Sequence, residues 1–280
     1  MSKLKIAFQG EPGANSDIAA REVYPDCEPL PCATFEDALA AIQTGKAELG
    51  MIPIENSIAG RVADIHHLLP HAKLHIVGEH FLPIHFNLMA PKGATLKTVK
   101  SVESHIHALG QCRRFIRKHN YKAVIAADTA GAARHISETD DVTRAALAPM
   151  LAAKIYGLKV LAERVEDEDH NTTRFVILSR KQKHAKPNNG LTVTTFVFQV
   201  RNLPAALYKA LGGFATNGVN ISKLESYMED GAWTATFFYA EVDGRPEDRG
   251  LALAFEELGF FSEKFEILGV YPADPFRTRG

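Results

Sequence analysis

The chain has 280 residues, 46% hydrophobic and 23% charged, and its 32 lysines and arginines nearly cancel its 33 aspartates and glutamates. This is a globular composition, long enough for two domains, and its scattered basic residues exclude a footprint for nucleic acid or an anionic membrane. No apolar run reaches the length of a bilayer-spanning helix, and Met1 to Ile6 enters strand-like sequence without a signal-peptide core, so a cytoplasmic protein is expected. Lys5 to Phe8 reads as a buried strand. Thr34 reads as the cap of a helix with Phe35, Ala38, Leu39 and Ile42 on one face, ended by Gly45, and Leu49 to Ile54 reads as the next strand. From Leu74 to Met89 a long apolar stretch with strand character, interrupted by Pro83, marks a crossing into a second lobe, roughly residues 80–165. Ser104 opens a helix with a stripe of Ile106, Leu109, Cys112, Phe115 and Ile116, and Ala123 to Ala127 forms the following strand. Leu147 to Tyr156 is a helix closed at Gly157, and Leu158 to Val165 and Phe175 to Leu178 are strands. The alternation predicts an α/β fold with a mostly parallel sheet in each lobe.

Composition changes at Lys181 to Gly190, which is polar, basic and broken by Pro187 and Gly190, as a linker would be. This places a first domain at 1–182, a linker at 183–190 and a second domain at 191–275. The second domain reads as strand Thr192 to Val200, a helix with Pro204 in its first turn ending at Asn217-Gly218, and strand Ile221 to Tyr227. A turn at Glu229 to Gly231, strand Thr234 to Val242, helix Glu247 to Leu258 and strand Phe265 to Tyr271 complete a ferredoxin-like βαββαβ unit, a kind that often pairs with a copy of itself. Cys27, Cys32 and Cys112 form no metal-ligand spacing and leave an odd thiol in any pairing, which suits a reducing compartment. The adjacent His66 and His67 face different ways on a helix, so no metal site is expected.

Four polar clusters of the first domain sit at strand ends or helix starts. Gly10 to Ser16 has glycines that let the backbone approach a ligand, with Asn15 or Ser16 as a helix cap, but lacks the lysine of a phosphate loop. Pro53 to Gly60 sets Glu55, Asn56 and Ser57 side by side, either as ligand contacts or as a strand end feeding a cap. Ser104-His105 starts a helix, where free N–H groups favour an anion, or is a cap with a surface histidine. Asn171 to Phe175 offers an amide, two hydroxyls and the planar donors of Arg174, which match a carboxylate. It is equally readable as a capped turn, with Arg174 solvated or paired to the acidic run Glu166 to Asp169.

Taken together, Glu55 to Gly60, Ser104-His105, Gln111-Cys112, Asp128 to Ala130 and Thr173-Arg174-Phe175 resemble prephenate dehydratase. Beyond the linker, Asn202 to Leu207 and Glu225-Ser226 resemble the two phenylalanine-binding motifs of the family's regulatory ACT domain, so the likeness covers essentially the whole chain. The sequence departs from the family pattern at Ala205, where glycine is usual, and at Tyr227-Met228, where Arg-Pro is common. It departs again at Ala14-Asn15 in place of Thr-Tyr, and at Ile106-His107 in place of Pro-Gln.

The resemblance implies a two-lobed catalytic domain like that of periplasmic binding proteins, closing over its substrate, followed by an ACT domain. It implies decarboxylating dehydration of prephenate to phenylpyruvate, without a cofactor, by a homodimer or homotetramer under feedback inhibition by L-phenylalanine. Thr173 and Arg174 would be catalytic, Thr173 as donor to the leaving oxygen and Arg174 steering charge or bracing the loop. Asn56, Ser57, Ser104, Thr129, Thr172 and Phe175 would bind substrate, and Glu55 would be scaffold. The effector would meet Asn202, Leu203, Ala205, Ala206, Leu207, Asn220, Ile221, Glu225 and Ser226. Two alternatives stay open: the same chemistry on arogenate, and a non-catalytic amino-acid sensor, against which the intact Thr173-Arg174-Phe175 argues.

Overall fold

The computed structural model describes residues 3–186, 190–201, 203–228 and 237–278. The chain divides into two compact units, Met1–Ile65 with His80–Val176, and His66–Glu79 with Ile177–Gly280. In chain order the first part supplies β1 (Lys5–Gln9), α1 (Asn15–Val23), β2 (Glu28–Cys32), α2 (Phe35–Thr44), β3 (Leu49–Asn56), β4 (Gly60–Arg61), α3 (Ala63–Leu68) and β5 (His75–Pro83). Then come β6 (Asn87–Ala90), β7 (Ser101–Ser104), α4 (Ile106–Gln111), α5 (Arg113–Lys118), β8 (Lys122–Ile125), α6 (Thr129–Thr139), β9 (Arg144–Ala148), α7 (Met150–Tyr156), β10 (Lys159–Ala162) and β11 (Thr172–Ser179).

The first unit holds two sheets. In one, β1 lies parallel to β2 and β3, with β4 antiparallel on β3 and β11 next to β3. Ile6, Ala7, Phe8, Met51, Ile52 and Ile54 are fully buried, as expected for strands covered on both faces. Helix α2 runs as its residues predict: Thr34 accepts a hydrogen bond from Asp37 N at 3.1 Å, and Gly45 closes it at φ 82°.

The other sheet has the order β10-β6-β9-β7-β8 and is mixed rather than mostly parallel. Strand β7 is parallel to β8 and β9, whereas β6 runs antiparallel to β9 and β10. The predicted helix from Ser104 is likewise revised. Ser104 ends β7, His105 is the cap, and the helix breaks at Cys112 into α4 and α5. The cause of the break is Asp167, whose N–H donates to Gln111 O at 2.6 Å while its carboxylate accepts from Arg114 N at 3.1 Å.

The second unit continues with β12 (Thr192–Val200), α8 (Ala206–Thr216), β13 (Ile221–Tyr227), β14 (Phe237–Asp243), α9 (Arg249–Phe261) and β15 (Ser262–Pro272). This is the βαββαβ order, with an antiparallel sheet β13-β14-β12-β15. Alternation along β12 sends Phe196 and Phe198 into a core with Phe214, Leu251 and Leu258 of the two helices. On the other face Thr195 pairs with the Tyr271 hydroxyl at 2.7 Å.

The composition-based boundary did not foresee that segment 66–79 belongs here: Ile76 of β5 pairs with Gly269 of β15 in parallel register. Arg277 then bridges two buried carboxylates, meeting Glu79 at 2.7 and 2.9 Å and Glu241 at 2.8 Å. The predicted turn at 229–231 and residues 234–236 of the predicted strand lie outside the described residues.

Helix α8 starts from Ala205 at φ 59°, a left-handed conformation in which a Cβ is strained. Ala205→Gly should therefore raise stability by about 1 kcal/mol. A denaturant midpoint that does not rise would contradict this.

Candidate active site

The first unit holds a cleft of about 780 Å³, lined by strands β1, β3, β4 and β11 of one sheet and by loops and helix starts, including those of α4 and α6 beside the other. Strand β11 shows how the sequence builds one wall. Asn171, Thr173 and Phe175 line the cavity, while Thr172 and Arg174 do not. That is the period of two of a β-strand, so the Asn171 to Phe175 cluster is a strand entrance rather than a turn.

Asn56, at the end of β3, organises this wall. Its Oδ1 accepts from Ile58 N (3.0 Å) and Ala59 N (2.8 Å), and its Nδ2 donates to Asn171 Oδ1 (2.6 Å), Thr173 Oγ1 (2.9 Å) and Thr172 O (3.2 Å). Asn171, nearly fully buried, donates onward to Gln111 Oε1 at 2.6 Å. Thr173 thus accepts from Asn56, and among the described residues nothing takes its proton. Accepting one hydrogen bond polarises a hydroxyl and strengthens it as a donor, so the cavity wall carries a neutral O–H with its proton left for a ligand.

Helix starts also line the cavity. Asn15 and Ser16 begin α1, and Thr129 begins α6, both on the cavity, where the positive ends of helices favour an anion. The caps differ from expectation. Neither Asn15 nor Ser16 caps α1; instead Asp17 Oδ2 accepts from Gly13 N at 2.8 Å. Gly13, at φ 89°, leaves no room for a Cβ, which would meet Ala152 Cα at 2.8 Å. Asp128 caps α6 by accepting from Gly131 N at 2.7 Å.

His105 and His107 also face the cavity with ring centroids 5.0 Å apart. Burial, reinforced by His107, pushes the His105 pKa down, which favours a neutral imidazole. Its Nδ1 accepts from His107 N at 3.4 Å, so the remaining proton of the neutral ring sits on Nε2.

Of the residues expected to bind substrate, Asn56, Thr129 and Phe175 line the cavity, together with the expected donor Thr173. Ser104 does not: it is fully buried and its hydroxyl donates to Leu147 O at 2.7 Å. Ser57 donates to His170 O and accepts from Thr172 N, both at 2.9 Å, so Ser57 and Thr172 fasten the two loops rather than face the cavity.

Arg174, grouped with Thr173 as catalytic, points off the opposite face of β11. It is 2% exposed, pairs with Glu55 at 3.0 Å and lies over the Phe81 ring at 5.8 Å. The acidic run is occupied elsewhere. Glu166 accepts from Phe86 N and pairs with His85, Asp167 caps α5, and Glu168 meets Arg114. Asn171, Gln111, His105 and His107 were not singled out as site residues. All four stood inside quoted segments, Asn171 as the amide of its cluster, and the strand period of β11 adds that this residue lines the cavity.

The residues expected at an effector site lie on two elements of the second unit. Leu203 is exposed, Ala205 and Ala206 open α8, and Leu207 and Ile221 pack against the helical-face core. Asn220 Nδ2 donates to Asp243 at 2.8 Å, Glu225 meets Lys223 at 3.3 Å, and Ser226 is on β13; Asn202 lies outside the described residues.

The family profile for prephenate dehydratase matches residues 6–183, the segment that carries this cavity. The chain belongs to the prephenate dehydratase family. A bifunctional N-acyl-homoserine lactone acylase/prephenate dehydratase of Komagataeibacter europaeus is 50% identical over 274 residues, 98% of each chain. The chloroplastic arogenate dehydratase/prephenate dehydratase 1 of Arabidopsis thaliana is 35% identical over 290 residues, which span 99% of this chain and 74% of that protein. Among solved structures, prephenate dehydratase from Arthrobacter aurescens in complex with L-Phe superposes with a TM-score of 0.88 at 32% identity, covering 96% of this chain and 90% of that one. Family membership extends over the β11 wall and the Asn56 loop.

Proposed function

We propose that the chain converts prephenate to phenylpyruvate, carbon dioxide and water, and that its second unit is an ACT domain through which L-phenylalanine inhibits the reaction. The observation that carries the reading is the Thr173 hydroxyl, held by Asn56 with its proton unclaimed on the wall of the cavity. In this reaction the bond from the ring to its carboxylate breaks and releases carbon dioxide. The freed electron pair moves through the ring, which becomes aromatic, and the carbon–oxygen bond at the opposite ring carbon breaks. The departing hydroxide takes up a proton to become water.

Hydroxide is a poor leaving group, so a donor aimed at it lowers the barrier. Threonine is too weak an acid to give up its proton alone, so Thr173 acts by a preorganised hydrogen bond as charge develops on the oxygen. The helix starts of α1 and α6 suit carboxylates by neutral donors, and Arg61 of β4 also lines the cavity. The carboxylate that must leave is better held by the helix starts, since a tight ion pair would stabilise the ground state. Arg174 serves from behind the strand, as the partner of Glu55.

For regulation, the support is the βαββαβ unit with its motif residues at the start of α8 and on β13. An effector shared between protomers of a homodimer or homotetramer would bring these two elements together. Arogenate is a second reading, favoured by the name of the Arabidopsis relative. Cleavage of the acyl amide of an N-acyl-homoserine lactone is a third, favoured by the name of the Komagataeibacter relative.

The test is product formation by the purified full-length chain from prephenate, arogenate and an N-acyl-homoserine lactone in parallel, with and without L-phenylalanine. Phenylpyruvate from prephenate, suppressed by phenylalanine, is expected. Faster turnover of arogenate would transfer the reading to that substrate, and neither inhibition nor calorimetric binding by phenylalanine would remove the regulatory role.

A further inference from the structure

Three carboxamides in the cavity wall have orientations that two backbone groups dictate. The N–H groups of Ile58 and Ala59 can only donate, so Asn56 must turn Oδ1 toward them and Nδ2 toward β11. Asn171 must then offer Oδ1 to Asn56 at 2.6 Å, which leaves its Nδ2 to donate to Gln111 Oε1, also at 2.6 Å. Gln111 is left with Nε2 and lines the cavity, and among the described residues nothing accepts from that nitrogen. At the other end, Asn56 donates to Thr173 Oγ1 and leaves the hydroxyl proton over. Both ends of the chain Gln111–Asn171–Asn56–Thr173 therefore show the cavity a donor. Reversing any amide between them would turn one end into an acceptor.

We propose that Asn171 is a positioning residue that fixes this polarity, and that Gln111 Nε2 is a second donor, beside Thr173, to an oxyanionic ligand. The inference deepens the dehydratase reading and rests on it, since a substrate with two carboxylates and a departing hydroxyl presents only acceptors to such a wall. Asn171 acts through its neighbours. Its Oδ1 and Nδ2 are both engaged by protein groups, and its backbone carbonyl accepts from Ile84 N at 2.8 Å.

Asn171→Asp tests this with almost no change of shape. An ionised carboxylate only accepts, so Gln111 must rotate to donate to it and thereby turns Oε1 to the cavity. At about pH 8 the variant's kcat should fall about 10- to 100-fold, the scale of one misdirected donor. On acidification the introduced carboxyl, its pKa raised by burial, takes up a proton and regains one donor and one acceptor. The variant-to-parent ratio of kcat should therefore climb several-fold by about pH 5.5. Glu36, Arg61, Asp64, His105, His107 and Asp128 share the cavity in both proteins, so their own titration largely cancels in the ratio.

A ratio that stays flat with pH, or full activity at about pH 8, overturns the role of Asn171. Gln111→Glu covers the case in which that variant fails to fold. It still accepts from Asn171 but removes the Nε2 donor, and kcat at about pH 8 should fall about tenfold or more with an unchanged unfolding midpoint. Unaltered kinetics would overturn the second donor.

Phenylpyruvate formation by the unmodified protein decides the dehydratase reading separately. If it fails, the polarity is still read from the Gln111 side-chain amide resonances. In Asn171→Asp these must move between about pH 8 and 5.5 by more than they do in the unmodified protein, and equal movement would refute the inference.

Discussion

Replacing Thr173 by Ala is expected to lower turnover of prephenate by about two to four orders of magnitude, the range that one aimed donor supplies, while the unfolding midpoint stays in place. The two halves of that expectation have separate causes. The loss of rate follows from removing the wall's O–H at the position where negative charge develops. Stability is preserved because Asn56 Nδ2 keeps Asn171 Oδ1 and Thr172 O as acceptors, so no amide is stranded when the hydroxyl goes. Thr173→Ser keeps the donor but loses the methyl that restricts χ1, and should retain part of the activity. Steady-state phenylpyruvate formation and a denaturation curve on the same preparations suffice. Near-normal turnover of Thr173→Ala would sink the mechanism.

Arg174→Ala is expected to do the reverse, destabilising the fold by about 3 kcal/mol, toward the lower end of the range for breaking a buried pair. The guanidinium is almost wholly enclosed, whereas Glu55 keeps 30% of its side chain exposed and can recover some hydration when its partner is removed. The variant also loses the cation's contact with the Phe81 ring. Arg174→Lys keeps the charge without the planar fork and should fall between the two. Guanidinium-chloride denaturation measures the effect directly. Unchanged stability combined with a collapse of kcat would return Arg174 to the reacting centre and contradict its placement behind β11.

The contrast between these neighbours shows what residue types disclose and what they conceal. Thr173 and Asn56 stood out because a neutral donor and an amide beside a strand end suit the chemistry. Helix α2 with Thr34 and Gly45, and the βαββαβ order, were legible because caps and periodicity are local properties. Arg174 misled because its charge suggested an anion, whereas its partner Glu55 lies 119 positions earlier in the chain. Ser57 and Ser104 misled because a hydroxyl consumed by a distant backbone carbonyl looks, in sequence, like one free for a ligand. Asn171 was read as the amide of a polar cluster that could equally be a capped turn, and was not placed among the site residues. Two adjacent threonines and a phenylalanine after it, residues that favour strands, were the local sign that the extended backbone begins there.

The pairing of β5 with β15 bears on how the second unit folds. Its parts come from 66–79 and from 177 onward, and the Asp274 N–H that meets Glu79 is 195 residues away from it in sequence. Contacts at such separation form late, because a long loop must close before they contribute. The βαββαβ portion can assemble from nearby pieces, but strand β5 and the carboxylate that Arg277 holds come from a segment that residues 80–176 separate from it in sequence. The search for that partner is therefore the natural slow step, and until it ends the edge of β15 stands open as a template for some other chain's strand.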